Sequence, residues 1–222
     1  FFFSPDGKWI VIDAFTSNGQ ESPVYVIEIK TGIAREIARL DHSFGGGNDT
    51  SKIIRAQPHP AWSPDSRKLT FTDNGRRLYW FDVDKATLTE VARDPVYMPG
   101  VFGDIRGAWS PDSKWLAYTV NTEAYFKQLY IYSLEMEKSF ALTEGMSEVS
   151  DPVFDASGDY LYFFGSTDAG PVKHWFAMSG ADMEMESNIY LMALNRDAAN
   201  PLAKESDEVT IKNKKSDNDN EK

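Results

Sequence analysis

Three histidines, a set of serines in a recurring turn phrase, and one long loop rich in methionine and aromatic residues are where this sequence could do chemistry. The histidines His42, His59 and His174 are 17 and 115 residues apart. A metal site or a catalytic triad needs partners held at definite geometry, and these spacings match no such motif. His59 stands between Pro58 and Pro60, which favours a structural position. Ser4, Ser63 and Ser110 each precede a Pro-Asp pair. A nucleophile needs one unique base and one oxyanion site, so serines repeated from unit to unit read as turn residues. Asp6, Asp65 and Asp112 read the same way.

The segment Ser166–Ser187 is the binding candidate. It interrupts the rhythm between two strands and carries His174, Trp175, Phe176, Met178, Met183 and Met185. Long loops in compact repeats serve binding or domain contact, and methionine and aromatic side chains adapt to varied apolar partners. Its candidate substrate- or partner-contact residues are His174, Trp175, Phe176, Met178 and Met183; packing over the rim of the fold, or against a neighbouring domain, is the alternative role. The acidic run Asp217–Glu221 lacks the loop glycine and terminal glutamate spacing of an EF-hand. Gly45-Gly46-Gly47 sits in no strand-then-helix pattern, so it is not read as a phosphate cradle. Catalytic residues, metal ligands and cofactor motifs are therefore read as none.

The elements that must position that loop come from a repeat. One phrase recurs as Phe3-Ser4-Pro5-Asp6-Gly7, Trp62-Ser63-Pro64-Asp65-Ser66, Trp109-Ser110-Pro111-Asp112-Ser113 and Phe154-Asp155-Ala156-Ser157-Gly158. Its aromatic anchors are 59, 47 and 45 residues apart. The last two intervals are close to the period of a WD40-like propeller blade, about 40–45 residues. The longer first interval holds a polar insertion, roughly His42 to Ile54. Proline at the second turn position and Asp at the third make the phrase a tight turn. The pattern predicts a strand after each turn, at Lys8–Asp13, Lys68–Thr72, Lys114–Val120 and Asp159–Phe164. Second strands follow at Val24–Ile29, Arg77–Val83, Gln128–Leu134 and Asn188–Leu194, and third ones at Ile33–Ala38, Thr87–Ala92 and Ser139–Thr143. Lead-in strands precede the later turns around Arg55–Trp62, Asp104–Trp109 and Val149–Phe154.

Leu78-Tyr79-Trp80-Phe81 and Leu129-Tyr130-Ile131-Tyr132 are apolar without alternation, as strands covered on both faces are. Blades stacked around an axis cover each other in this way. The expected fold is all-β: about four four-stranded antiparallel blades, an arc of a larger β-propeller. About fourteen strands are expected, the first blade lacking its lead-in strand and the last its closing one. Residues 1–198 are read as blades and 199–222 as a charged flexible linker or tail. From residue 203 onward, large apolar side chains are too few to offset the entropy of ordering.

Composition narrows the partners. The 222 residues carry 34 acidic against 23 basic side chains, a net charge of −11, which repels phosphate backbones and anionic membranes. Neither nucleic acid nor membrane is an expected partner. Cysteine is absent, which excludes disulfides, thiolate metal sites and a cysteine nucleophile. No apolar run approaches the roughly 20 residues that span a bilayer. The opening Phe1-Phe2-Phe3-Ser4-Pro5 reads like the middle of a strand, so the chain is taken as a piece of a longer one.

The repeats FSPDGKWI, WSPDSRKLTF and WSPDSKWLAYT resemble the blades of TolB and related propellers. From about residue 60 to 208 the ordered series DNGRRLYWFDVDKATLTEV, DIRGAWSPDSKWLAYT, QLYIYSLE and SDPVFDASGDYLYFFGSTDAGPV is similar to the propeller region of tricorn-type serine proteases. Trp175-Phe176-Ala177-Met178-Ser179, Ile189-Tyr190-Leu191 and Pro201-Leu202-Ala203 extend that likeness. The resemblance implies a large serine peptidase that pairs propellers with a PDZ domain and a downstream catalytic domain. Its blades admit or filter peptides or unfolded polypeptide and carry no catalytic residue. It also implies a homo-oligomeric parent protein and, since bacterial relatives look exported, a periplasmic or secreted location, with the cytoplasm as alternative. Residues 1–55 depart from the pattern. A TolB-like protein-binding propeller without peptidase activity is the second reading. The propeller of a prolyl-oligopeptidase-type enzyme is the third; it would need a downstream Gly-x-Ser-x-Gly elbow.

Overall fold

The computed structural model describes residues 1–13, 21–41, 60–72, 76–95, 105–124, 126–167 and 186–203. All regular structure among them is β. The first sheet contains β1 (Phe2–Phe3), β2 (Trp9–Asp13), β3 (Glu21–Glu28) and β4 (Ala34–Asp41). The second contains β5 (Ala61–Trp62), β6 (Lys68–Thr72), β7 (Arg77–Asp82) and β8 (Thr87–Arg93). The third contains β9 (Ala108–Trp109), β10 (Trp115–Asn121), β11 (Lys127–Ser133) and β12 (Lys138–Ala141). The fourth contains β13 (Glu148–Phe154), β14 (Tyr160–Ser166) and β15 (Asn188–Ala193). Each sheet is an antiparallel meander in chain order, one blade per repeat. The fold is a run of β-propeller blades.

Two strand expectations are corrected. The first blade has its lead-in strand, because Phe2 pairs with Val11 and Phe3 with Ile10. Fifteen strands result, and the fourth blade alone has three among the described residues. Two paired residues ahead of the turn suffice for a lead-in strand, as Ala61–Trp62 and Ala108–Trp109 also show. Of the strand expected over Asp104–Trp109, Ile105, Arg106 and Gly107 stay out of the ladder. The Ile105 carbonyl accepts the Thr72 hydroxyl at 2.5 Å, so a side chain replaces a strand partner there.

Three apolar cores lie between the four blades, one per junction. Val11, Val24 and Val26 of the first blade meet Leu69, Phe71, Phe81 and Val83 of the second. Leu78 and Trp80, on the other face of the second blade, meet Leu116, Tyr118 and Tyr132 of the third, with Ile105 between. Ala117 and Leu129 meet Val149, Leu161 and Phe163 of the fourth. Adjacent residues of β7 thus point into different cores, which is why that strand is apolar on both faces. Each fully buried Leu, Val or Phe is worth about 1.5–3 kcal/mol relative to exposure, so these junctions hold the arc together.

Polar links run alongside the cores. Trp62 Nε1 donates to the Phe2 carbonyl at 3.1 Å and Trp109 Nε1 to the Ala61 carbonyl at 2.9 Å. The amide of Asp6 donates to Ser66 Oγ and that of Asp65 to Ser113 Oγ, both at 3.0 Å. Asn121 Nδ2 donates to the buried Asp94 carboxylate at 2.6 Å, tying the second blade to the third.

Candidate functional site

The recurring phrase builds a hydrogen-bonded turn and commits its hydroxyls to it. Ser4, Ser63 and Ser110 donate to Asp6, Asp65 and Asp112 Oδ1 at 2.7, 2.5 and 2.6 Å. Each serine oxygen also accepts the amide five residues on, from Trp9, Lys68 and Trp115, at 3.0, 3.0 and 2.9 Å. Each aspartate accepts the amide two residues on, from Lys8, Arg67 and Lys114. In the fourth blade the two side chains exchange places. Ser157 Oγ donates to Asp155 Oδ2 at 2.6 Å, Asp155 Oδ1 takes the Tyr160 amide, and Ser157 Oγ takes the Asp159 amide. The same network survives with its donor and acceptor swapped.

These bonds set the acidity of the turns. The Ser4 hydroxyl first, then the Lys8 amide, hold the Asp6 carboxyl down at about 2 against an ordinary 3.8. The Ser157 hydroxyl first, then the Tyr160, Ser157 and Gly158 amides, hold Asp155 at about 2 as well. Burial raises Asp65, but the bonds from Lys68 and Ser63 outweigh it and lower its pKa. Ser4, Ser63 and Ser110 are buried and locked in three equivalent turns, an arrangement suited to holding strands and not to attacking a carbonyl.

The binding candidate sits at the opposite end of the fourth blade, where β14 ends and β15 begins. Gly165 pairs with Asn188 and Glu148 with Ser166, so the ladder fixes where the intervening loop leaves and returns. Tyr190 stacks on Phe163 at 5.8 Å and lies across Gly165, where a Cβ would fall 2.9 Å from its ring. Glycine there leaves the aromatic pair room. A cavity of about 280 Å³ opens at this point, walled by Met146, Val149, Phe163 and Tyr190 with Ser166 and Thr167 on its polar side. Ser166 Oγ is buried and has no hydrogen-bond partner among the described residues. Such a hydroxyl is ready to meet a polar group brought by a ligand.

The sequence-flagged contact residues His174, Trp175, Phe176, Met178 and Met183 lie outside the described residues, between these two roots. His42, His59, Gly45-Gly46-Gly47, Asp217–Glu221 and the tail from 204 lie outside them too. Sequence reasoning missed the Met146–Ser166–Tyr190 cavity. A methionine in the polar turn Thr143-Glu144-Gly145-Met146, 79% exposed, was the available signal. Among the described residues no group of three His, Cys, Asp or Glu is placed to hold a metal ion, and no helix is long and apolar enough to cross a membrane.

A scan of protein-family models and a search of curated proteins give no match to this chain. Solved structures do match. TolB from Acinetobacter baumannii superposes with a TM-score of 0.51 at 19% identity, over 87% of this chain and 40% of that one. A tricorn protease superposes with a TM-score of 0.60 at 15% identity, over 88% of this chain and 18% of that one. The β-propeller domain of the Trilobed protease from Pyrococcus furiosus, described as having an open velcro topology, gives 0.52 at 18% identity, over 86% and 52%. At these identities the likeness is one of fold. The chain spans well under half the length of the TolB and tricorn chains it matches.

Proposed function

We propose that these blades are the propeller portion of a tricorn-like serine peptidase, where they gate peptides and scaffold the assembly while hydrolysis takes place on another domain. The structural match to tricorn protease over 88% of the chain carries the reading. The ordered sequence likeness over residues 60–208 agrees with it. Residues 1–198 supply blades and 199–222 a charged linker. The outer face of the fourth blade supports a continuing propeller. Tyr162 pairs with Val153 and Leu191, and Phe164 pairs with Ile189. Val153, Tyr162, Phe164 and Ile189 are exposed there, a pattern that a further blade would cover.

In this reading the cavity at Ser166 and the loop residues His174, Trp175, Phe176, Met178 and Met183 meet peptide or unfolded polypeptide on its way to the catalytic domain. The remaining propeller, a PDZ domain and the catalytic domain of a homo-oligomeric parent are the other partners. The compartment is the periplasm or outside the cell. The test compares the full-length protein with a version whose residues 168–185 are replaced by a short Gly-Ser loop. The intact protein hydrolyses short peptides and unfolded polypeptide and spares folded proteins. The loop replacement raises KM for long substrates and leaves kcat for short ones unchanged. Absence of any hydrolysis by the intact protein would remove the peptidase reading. A TolB-like protein-binding propeller would then stand, which the TolB match over 87% of the chain supports.

A further inference from the structure

Two of the three blade junctions follow one plan, and the third departs from it. At the first two, an indole N–H of the phrase reaches the lead-in carbonyl of the preceding blade, through Trp62 and Trp109. A serine at the end of the phrase, Ser66 or Ser113, accepts the Asp6 or Asp65 amide across the junction. At the third junction Phe154 stands in the tryptophan place and Gly158 in the serine place. The ring there has no N–H, and Gly158 has no hydroxyl to offer the Asp112 amide. Among the described residues the Asp112 amide has no acceptor, where both its counterparts have one. Farther out, Arg35 bridges the first junction to the Val83 carbonyl at 3.1 Å. Arg35 pairs with Val26 and Phe140 with Ile131 at matching register, so an apolar ring replaces that bridge in the third blade.

A cavity of about 530 Å³ lies between the third and fourth blades, walled by Trp115, Ile131, Phe140, Leu142, Phe154 and Leu194. Asp112 and Gly158 also line it. The corresponding space at the first junction, between Trp9, Val26, Arg35 and Phe81, is about 140 Å³. Ligand pockets typically run about 300–1,000 Å³, mostly apolar with a few placed polar groups.

We propose that the cavity between the third and fourth blades binds an uncharged aromatic amide, as an aromatic residue within a partner peptide presents. Three observations fix that chemistry. The walls offer the rings of Trp115, Phe140 and Phe154, against which an aromatic side chain stacks. The exposed Asp112 amide has no protein acceptor among the described residues and can donate to a peptide carbonyl, in the role of the missing serine hydroxyl. The exposed Asp112 carboxylate on its wall, on a chain of net charge −11, disfavours an anionic ligand. The inference needs only the blades and does not rest on the peptidase reading.

The test is photolabelling of the full-length protein with N-acetyl-4-benzoyl-L-phenylalaninamide, mapped by mass spectrometry and competed with N-acetyl-L-phenylalaninamide. The expected adducts fall on the cavity wall, at or near Met136, Phe154 and Leu194, and are lost on competition. Phe154→Trp combined with Gly158→Ser copies the other junctions. Ser66 and Ser113 already adopt φ of 61° and 60° at this place, and a Cβ on Gly158 would meet Pro111 at an ordinary 3.6 Å. That variant should lower the labelling yield at least about tenfold. Phe140→Arg, which copies the first blade, should do the same by an independent route. Adducts confined to other regions, or an unchanged yield in either folded variant, would overturn the proposal. Hydrolysis measured on the same samples keeps its failure separate from failure of the peptidase reading.

Discussion

Within the phrase, each serine hydroxyl donates one bond and accepts another in a buried setting, so its removal strands a strand amide. Ser63→Ala leaves the Lys68 amide without its side-chain acceptor, at a cost of about 1–3 kcal/mol. Denaturant unfolding measures it, and hydrolysis by the full-length protein should be unchanged; lost hydrolysis with intact stability would restore a catalytic role for these serines. Asp6 and Asp155 contribute to the pH dependence. Their folded pKa of about 2 lies below the ordinary 3.8, so the folded chain holds them ionised where the unfolded chain takes up protons. Their contribution is complete above about pH 4 and is lost as pH falls towards 2. NMR titration should find both carboxyls titrating near 2, and Asp155→Asn should flatten the acid limb of the stability curve. The turn itself was legible in the sequence because Ser-Pro-Asp acts locally. The exchange of Asp155 and Ser157 looks like drift until the bonds show that the pair still closes.

At the scale of strands, side chains that reach across blades matter most. Trp109→Phe removes the bond to the Ala61 carbonyl and makes the second junction resemble the third, at a cost of about 1–2 kcal/mol. Asn121→Ala removes the amide that meets the buried Asp94 carboxylate and costs about 2 kcal/mol. Thermal unfolding reads both; effects below about 0.5 kcal/mol, the range of surface changes, would contradict these links. Strands after the turns were readable from the phrase and from apolar runs. The first lead-in strand was not, since pairing at Phe2–Phe3 depends on β2 folding back over it. Ile105 was misread as a strand residue because its partner is the side chain of Thr72, 33 residues away. Nor does local pattern reveal the cavity at Ser166, which takes shape only when the 143–147 turn and the ends of β14 and β15 converge.

Across the whole molecule, the exposed apolar residues Val153, Tyr162, Phe164 and Ile189 on the outer face of the fourth blade form a surface that a further blade would cover. In the full-length protein, Phe164→Asp should cost about 2 kcal/mol or more, because a covering blade would bury the charge. A change under about 0.5 kcal/mol would mean that the face is bare. The most direct test of the central claim is fluorophosphonate labelling of the full-length protein with mapping of the modified serine. The account predicts one modified serine outside residues 1–222, with Ser4, Ser63, Ser110 and Ser166 untouched. Modification of a serine within these blades, or of none in an intact protein, would contradict it.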